Sequence, residues 1–359
     1  MRCRGDFSNR FKHEAAGLLA AGAVAVAALP AAGQAFQQYG LNFVTVGDPG
    51  NRAATAQEAP LWPTFAEPLG AVDHTIGIMR TNVTNNEWID FVRAYAPYYP
   101  DGPGNSDLTG EGVKYTGMVG GLPQYEVRTG HGRASADMTW RIAARFANWL
   151  HNDKQSIATA FEDGAYDTST FGETVVGGFT VLTDQVTHHP DGKFWIPTVH
   201  EYTKAGHWDP NKNGPGQGGY WLMPDGGDEN LIAGPPGIGE CAGDWWTGFF
   251  IDVELYPDTP SPWGVLDISS TYWQHTEGYI HPATGTRRLT AGSSPSSGYW
   301  VDDRLDNFAT ALPHANFAIR LASAVPSPAS VVGLGLAVTL LWKRRRASWD
   351  GTGVGTFSP

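Results

Sequence analysis

The sequence predicts an α+β fold in one loop-rich domain. Glycine and proline are abundant, at 45 and 25 residues, and without a repeat period that content means many turns. Yet 14 Trp, 13 Tyr and 16 Phe are present, and aromatic burial of that size opposes disorder. Helix signals are few and widely spaced, with short apolar runs and turn residues between them.

Taken in chain order, Thr75 to Met79 is an apolar run that reads as a strand. Thr84-Asn85-Asn86-Glu87 then fits a capping box, in which the hydroxyl takes an orphan amide and the glutamate returns the contact. Trp88, Phe91, Val92 and Tyr95 follow at helical spacing. A second helix is predicted from about Thr139, with Ala143, Phe146, Ala147 and Leu150 on one face. Phe179 to Leu182 and Phe194 to Ile196 read as further strands among Gly, Pro and Asp turns. Thr198-Val199-His200-Glu201 is a second capping box and opens a third helix, with Tyr202 and Ala205 inward.

The ends differ from the body. Arg2, Arg4, Arg10 and Lys12 precede a small-residue apolar stretch, Ala15 to Ala32. Gly33-Gln34-Ala35 then offers small residues for cleavage, so residues 1–35 read as a signal peptide. At the other end the apolar run Val331 to Trp342 is shorter than the ~20 residues a stable span needs. Lys343-Arg344-Arg345-Arg346 would hold that end in the cytoplasm. A C-terminal extension, 347–359, follows. Both ends place the body, 36–324, outside a bacterial cytoplasmic membrane.

The net charge is −12, and both ends are basic, so the body is more acidic than the whole. That argues against nucleic acid, whose phosphates need Lys and Arg, and suits solubility or divalent cations. Cys3 falls in the leader and Cys241 is the only other cysteine. No disulfide forms once the leader is removed, and packing must hold the core. Cys241 reads as a small apolar residue. His188, His189 and Asp191 cluster, and His200, His207, His275 and His281 are scattered. They form no spaced ligand set such as H-E-x-x-H and read as surface or turn histidines. No Gly-x-Ser-x-Gly elbow or phosphate loop occurs.

Several segments, in order, resemble the formylglycine-generating enzyme (sulfatase-modifying factor) family. Asn42 to Asn51 is similar to the opening of exported members. Met79-Arg80-Thr81-Asn82-Val83-Thr84-Asn85-Asn86-Glu87-Trp88 resembles the family's E-V-T-N-x-Q/E-W/Y start of the first helix. Met138 to Asn152 resembles its second helix. Glu162 to Tyr166 and Phe194 to Tyr202 follow in the expected order, and Ser261 to Ser269 resembles S-P-x-G-x-x-D-x-S. Arg287 to Ser294 and then Phe317-Ala318-Ile319-Arg320 resemble the closing R-x-L-R-G-G-S-W and G-F-R. The resemblance implies the sulfatase-modifying-factor variant of the C-type lectin fold, with long, partly metal-braced loops. The tail, 325–346, resembles a PEP-CTERM sorting signal, which implies processing by an exosortase-type protease. Ser327 stands where that signal has Glu.

The resemblance also implies sites. Family enzymes hold copper with two cysteines; the matching positions here are Ser296 and Val301. Thiolates suit a soft ion such as Cu(I), so their loss argues against a copper oxidase. Ser293 is retained in the groove and Ser297 stands for an arginine. One family calcium site maps onto Asn230, Leu231, Asp244 and Trp246. The second maps onto Ser270 to His275, where Gln274 and Thr271 give neutral oxygens, His275 replaces a tryptophan, and the missing carboxylate weakens calcium. In place of the cysteine segment stand Tyr299, Trp300, Asp302, Asp303 and Arg304. Aromatic faces beside carboxylates and arginine suit a glycan or peptide, although Trp300 fits a core position equally. Trp208, Tyr220 and Trp221 carry the same ambiguity. The expectation is an exported, surface-associated binding or structural module with one calcium. A catalytic family member is the alternative, as an oxidase acting on a protein cysteine or through another chemistry.

Overall fold

The computed structural model describes residues 33–62, 67–243, 251–268, 272–280, 287–292, 304–305, 308–311 and 315–326. Within them the fold is α+β, with small antiparallel sheets, few helices and long connections. The largest sheet has five strands in the order β1 (Ala35–Gln38), β2 (Leu41–Val46), β3 (Ile76–Met79), β14 (Ala322–Ser323) and β8 (Phe194–Trp195). Every neighbour in it is antiparallel. The segment near the C-terminus thus lies between β3 and β8, joining distant parts of the chain.

Two hairpins stand apart, β4 (Val113–Val119) with β5 (Leu122–Val127) and β6 (Glu173–Val176) with β7 (Phe179–Leu182). Their turns are Gly120-Gly121 and Gly177-Gly178, all at positive φ, as a tight two-residue hairpin turn requires. A short pair links β9 (Trp208–Asp209) to β10 (Gly219–Tyr220). A three-stranded sheet joins β11 (Gln274–Ile280), β12 (Arg287–Ala291) and β13 (Ala309–Ala311).

The helices are α1 (Asn85–Tyr95), α2 (Ser106–Thr109), α3 (Trp140–His151), α4 (Thr159–Glu162) and α5 (Val199–His207). The three longer ones start where the sequence places them. Thr84 and Thr198 form complete capping boxes with Glu87 and Glu201, and Thr139 caps α3 through the Ile142 amide. The pairing of α1 with α3 is aromatic. Trp88 and Phe146 meet edge to face at 5.3 Å, Phe91 and Phe146 at 5.5 Å, and Phe91 and Trp149 at 5.8 Å. Such pairs add about 0.5–1.5 kcal/mol each beyond area burial. Cys241 is buried, 1% exposed, as a small apolar residue would be.

Buried polar side chains brace the loops. Arg320, fully buried, donates from Nε to Gln274 Oε1 at 2.6 Å. Its Nη1 donates to the Met79 carbonyl at 3.1 Å, and its Nη2 to Leu266 and Asp267 carbonyls at 2.9 Å and to Asn82 Oδ1 at 3.2 Å. Asn85 binds the His131 and Ala134 carbonyls, and Gly112 passes so close that a Cβ there would lie 2.2 Å from the Asn85 amide. Asn148 donates to the Phe161 and Tyr166 carbonyls and accepts from the Tyr166 amide.

Removing one partner of such a buried charged network leaves several acceptors unsatisfied, at a cost of about 3–5 kcal/mol. Arg320→Lys, with fewer donors and no planar fork, is expected to lower the unfolding free energy from urea titration by that much or to prevent accumulation of folded protein. Thr84→Ala, which loses only a cap, is expected to cost about 1 kcal/mol. Equal, small shifts for the two would remove Arg320 from its central place.

Candidate functional site: a histidine and carboxylate cleft

Helix α5 begins at Thr198 because its hydroxyl accepts the Glu201 amide at 3.1 Å. Glu201 Oε2 completes the box by accepting the Thr198 amide at 2.8 Å, and it also accepts Trp195 Nε1–H at 3.0 Å. Its other oxygen, Oε1, lies 3.2 Å from His74 Nε2. One capping residue therefore serves a helix, a buried tryptophan and an imidazole. Glu201 is 2% exposed. Burial raises its carboxyl pKa, but His74, the Thr198 amide and Trp195 outweigh that and hold it below the usual range.

The imidazole of His74 sits between two carboxylates, with Asp73 Oδ1 2.7 Å from Nδ1. Chiefly through its bond to Glu201, with burial opposing and Asp73 helping, its pKa rises to about 9. His74 is thus a cation at neutral pH.

A second histidine–carboxylate pair adjoins it. Glu277 on β11 is 2% exposed and receives the His188 amide at 2.9 Å. His188 Nδ1 is 3.1 Å from both Glu277 oxygens. The Tyr166 hydroxyl donates to Glu277 and accepts the Ile196 amide at 2.9 Å. Burial raises the Glu277 pKa, opposed by His188 and Tyr166. The His188 ring stacks on Trp195 at 4.4 Å with 14° between planes. With Nδ1 fixed by the carboxylate, the Nε2 atom is set in orientation.

These groups open onto a cleft of about 540 Å³ lined by His74, His188, His200, Thr198, Glu201 and the Gly50–Asn51 and Ala71–Asp73 loops. His200 Nδ1 accepts the Gly70 amide at 3.0 Å, which leaves the proton on Nε2, and burial pushes its pKa down. Behind the cleft, Lys204 is fully buried and donates to the Asp48 carbonyl at 2.9 Å. Burial lowers its pKa to about 8. Perturbed groups of both signs in a concavity have the physical character of a functional site. Among the described residues the lining includes no serine or cysteine, and the Thr198 hydroxyl is engaged as a cap. The cleft can bind and exchange protons. Among the described residues no group of three or more His, Cys, Asp or Glu could hold a metal ion.

The residues singled out in the sequence fall elsewhere. Ser293, Ser296, Val301, Tyr299, Trp300, Asp302, Asp244 and Trp246 lie outside the described residues. Arg304 is half-buried, beside Leu305, whose amide donates to the Leu222 carbonyl. Asn230 is exposed and Leu231 is buried. His275 is 1% exposed, donates from Nε2 to the Met138 carbonyl at 2.8 Å and packs against Phe317. It belongs to the core and not to a groove, because its ring on β11 points inward, and burial lowers its pKa to about 4. His207 is likewise buried, with a pKa pushed by burial to about 3. These two overturn the expectation of surface or turn histidines. Trp208 and Tyr220 are core residues with rings 4.8 Å apart. Sequence reasoning missed the cleft itself. Its signals were the adjacent Asp73-His74 pair and the second duty of the Thr198–Glu201 box, and nothing local ties Glu277 to His188.

No family model matches the chain, and no curated protein matches it. Among the described residues no helix is long and apolar enough to cross a membrane.

Because the His74 pKa is raised in the folded state, its contribution is full below about 6.5 and is lost as pH rises through about 9. The unfolding midpoint is expected to fall between pH 7 and 10 through this pair. His74→Gln should flatten that slope in thermal denaturation followed by circular dichroism. An unchanged slope would mean that the His74–Glu201 pair does not hold the cleft.

Proposed function

We propose that this chain is an exported, envelope-associated relative of the formylglycine-generating enzymes that binds a ligand or builds structure and does not oxidise cysteine. Its fold would be the sulfatase-modifying-factor variant of the C-type lectin fold. The observation that supports this reading is the Arg320 network. Its acceptors come from Met79 and Asn82, from Leu266 and Asp267, and from Gln274. Segments that resemble the family separately in sequence meet on the arginine of the last one. A framework of that kind can persist without the chemistry it once carried. Ser296 and Val301 offer no thiolate for copper.

Calcium fits better. Asn230 exposes its side-chain amide, with no hydrogen-bond partner among the described residues, so its oxygen is available to a hard cation. Asp244 would bring the carboxylate, with the Leu231 and Trp246 carbonyls completing the protein's share. Export and a membrane-associated tail agree with the acidic body and the two basic ends. A second reading, proton-transfer catalysis, is favoured by His188, whose orientation by Glu277 in an open cleft suits a general base.

Metal content of the full chain after dialysis against metal-free buffer, read by plasma mass spectrometry, tests the first reading. Near-stoichiometric calcium without copper or iron is expected, and Asp244→Ala should lose the calcium. Near-stoichiometric copper or iron would overturn it.

A further inference from the structure

Away from the histidine cleft, a groove of about 500 Å³ lies between α1, α3 and the chain that follows each. That volume is within the range of about 300–1,000 Å³ typical of small-ligand sites. Its wall is aromatic, with Tyr95 and Tyr99 meeting edge to face at 5.8 Å and Phe171 opposite. Arg145 bridges the two sides, its guanidinium 5.9 Å from the Tyr95 ring and 5.2 Å from Phe171. The bond to Glu162 at 3.2 Å fixes that arginine in place.

Around the aromatic wall, polar groups of both kinds face the space; Glu162 is taken up by Arg145 and Asp101 is hydrogen-bonded to the Tyr99 hydroxyl, while others keep capacity to spare. Arg141 spends Nε and Nη2 on Asp184 and the Gly172 carbonyl, and its Nη1 has no acceptor among the described residues. The Tyr95 hydroxyl, on a residue only 2% exposed, also has no hydrogen-bond partner among them. Burial raises its phenol pKa to about 12, so it is present as a donor. Asp101 and Asp107 lie close enough to Tyr99 to raise its phenol pKa further after burial has done so. Donors, acceptors and flat apolar faces are interleaved, and the two signs of charge are nearly balanced.

A strongly charged ligand would meet as much repulsion as attraction there. A purely apolar one would desolvate Asp107, the Tyr95 hydroxyl and the open Arg141 Nη1 without giving them a partner. A neutral polyhydroxyl ring matches both demands, since its C–H face covers an aromatic ring while its hydroxyls both donate and accept. We propose that this groove is a saccharide-binding subsite for a neutral glycan, with Tyr99 as the stacking platform and Arg141, Asp101 and Asp107 reading the hydroxyls. The assignment rests on the binding-module reading and gives it a ligand class and a place.

The test uses the full chain and saturation-transfer difference NMR with maltose, cellobiose, lactose and N,N′-diacetylchitobiose at millimolar concentration, with choline as a competing chemistry. Saturable transfer from at least one sugar is expected. Asp107→Asn and Tyr99→Ala should each weaken it about tenfold or more, whereas Val119→Thr, 68% exposed at the tip of the β4–β5 hairpin, should leave it unchanged. Asp107 is at the rim, so its variant keeps the test decisive if Tyr99→Ala destabilises the fold. No saturable transfer from any of the four sugars, saturation by choline alone, or sugar binding indifferent to both groove variants would overturn the proposal. Metal content reports separately on the parent reading. Calcium without copper or iron beside failed sugar binding removes the groove and leaves the module, and copper or iron beside successful sugar binding does the reverse.

Discussion

A single buried guanidinium ties this loop-rich chain together. Arg320 cannot lose its proton at any ordinary pH, even though burial lowers its pKa. Bringing it indoors costs several kcal/mol, and the cost is offset only if nearly every N–H finds an oxygen. The Met79, Leu266 and Asp267 carbonyls and the Gln274 and Asn82 side-chain oxygens provide them. Those oxygens belong to the end of β3, a loop with no regular hydrogen bonding, and the start of β11. The arginine replaces the ladder that a larger sheet would have supplied. It also fixes a second charge, since the nearby Asp267 carboxyl, raised by burial to about 6, is countered by Arg320.

The same economy of polar groups links fold to site. Glu201 is required at the third position of α5 by helix capping alone, and Trp195 needs an acceptor because its indole is buried. Meeting both needs leaves one carboxylate oxygen turned to His74. Across the stacked Trp195 and His188 rings, Glu277 repeats the arrangement with Tyr166 as its third partner. Two carboxylates are thereby brought near each other, and their repulsion contributes to raising the Glu277 pKa. The cleft is a by-product of satisfying buried groups and at the same time a concavity lined by groups with shifted pKa values of both signs.

Local signals carried the three longer helices and the strands β3, β7 and β8, but not their arrangement. Thr84, Thr139 and Thr198 announce their helices because a cap is written within four residues. The hairpin from Val113 to Val127 has no place in the sequence reading, although Gly120-Gly121 sits at its turn, because its exposed Met118, Val119 and Leu122 break the alternation that marks a half-buried strand. The order of β3, β14 and β8 was not legible, since Ala322–Ser323 is too short to show a period. Nor was the cleft. Tyr166, His188 and Glu277 are separated by 89 and 111 residues from one another's partners, and only the tertiary fold joins them. His275 shows the same limit from the other side, because a lone histidine in sequence carries no mark of burial.

With no disulfide among the described residues, long loops must be held by something other than covalent closure, and here that task falls to asparagine. Asn51 donates to the Gly70 carbonyl and accepts the Val72 amide. Asn148 binds both sides of the loop from Phe161 to Tyr166, and Asn152 adds the Ala160 and Asp163 carbonyls. Each amide supplies donor and acceptor together, which is what an irregular backbone with unpaired N–H and C=O groups demands. Such braces act at the base of a loop and leave its crest unconstrained. Asn51 lies under the histidine cleft, and Asn148 stands on, and Asn152 caps, the helix that also carries Arg141 and Arg145 into the tyrosine groove. Rigid bases beneath chemically free rims are the physical condition for a scaffold that changes its ligand without changing its fold.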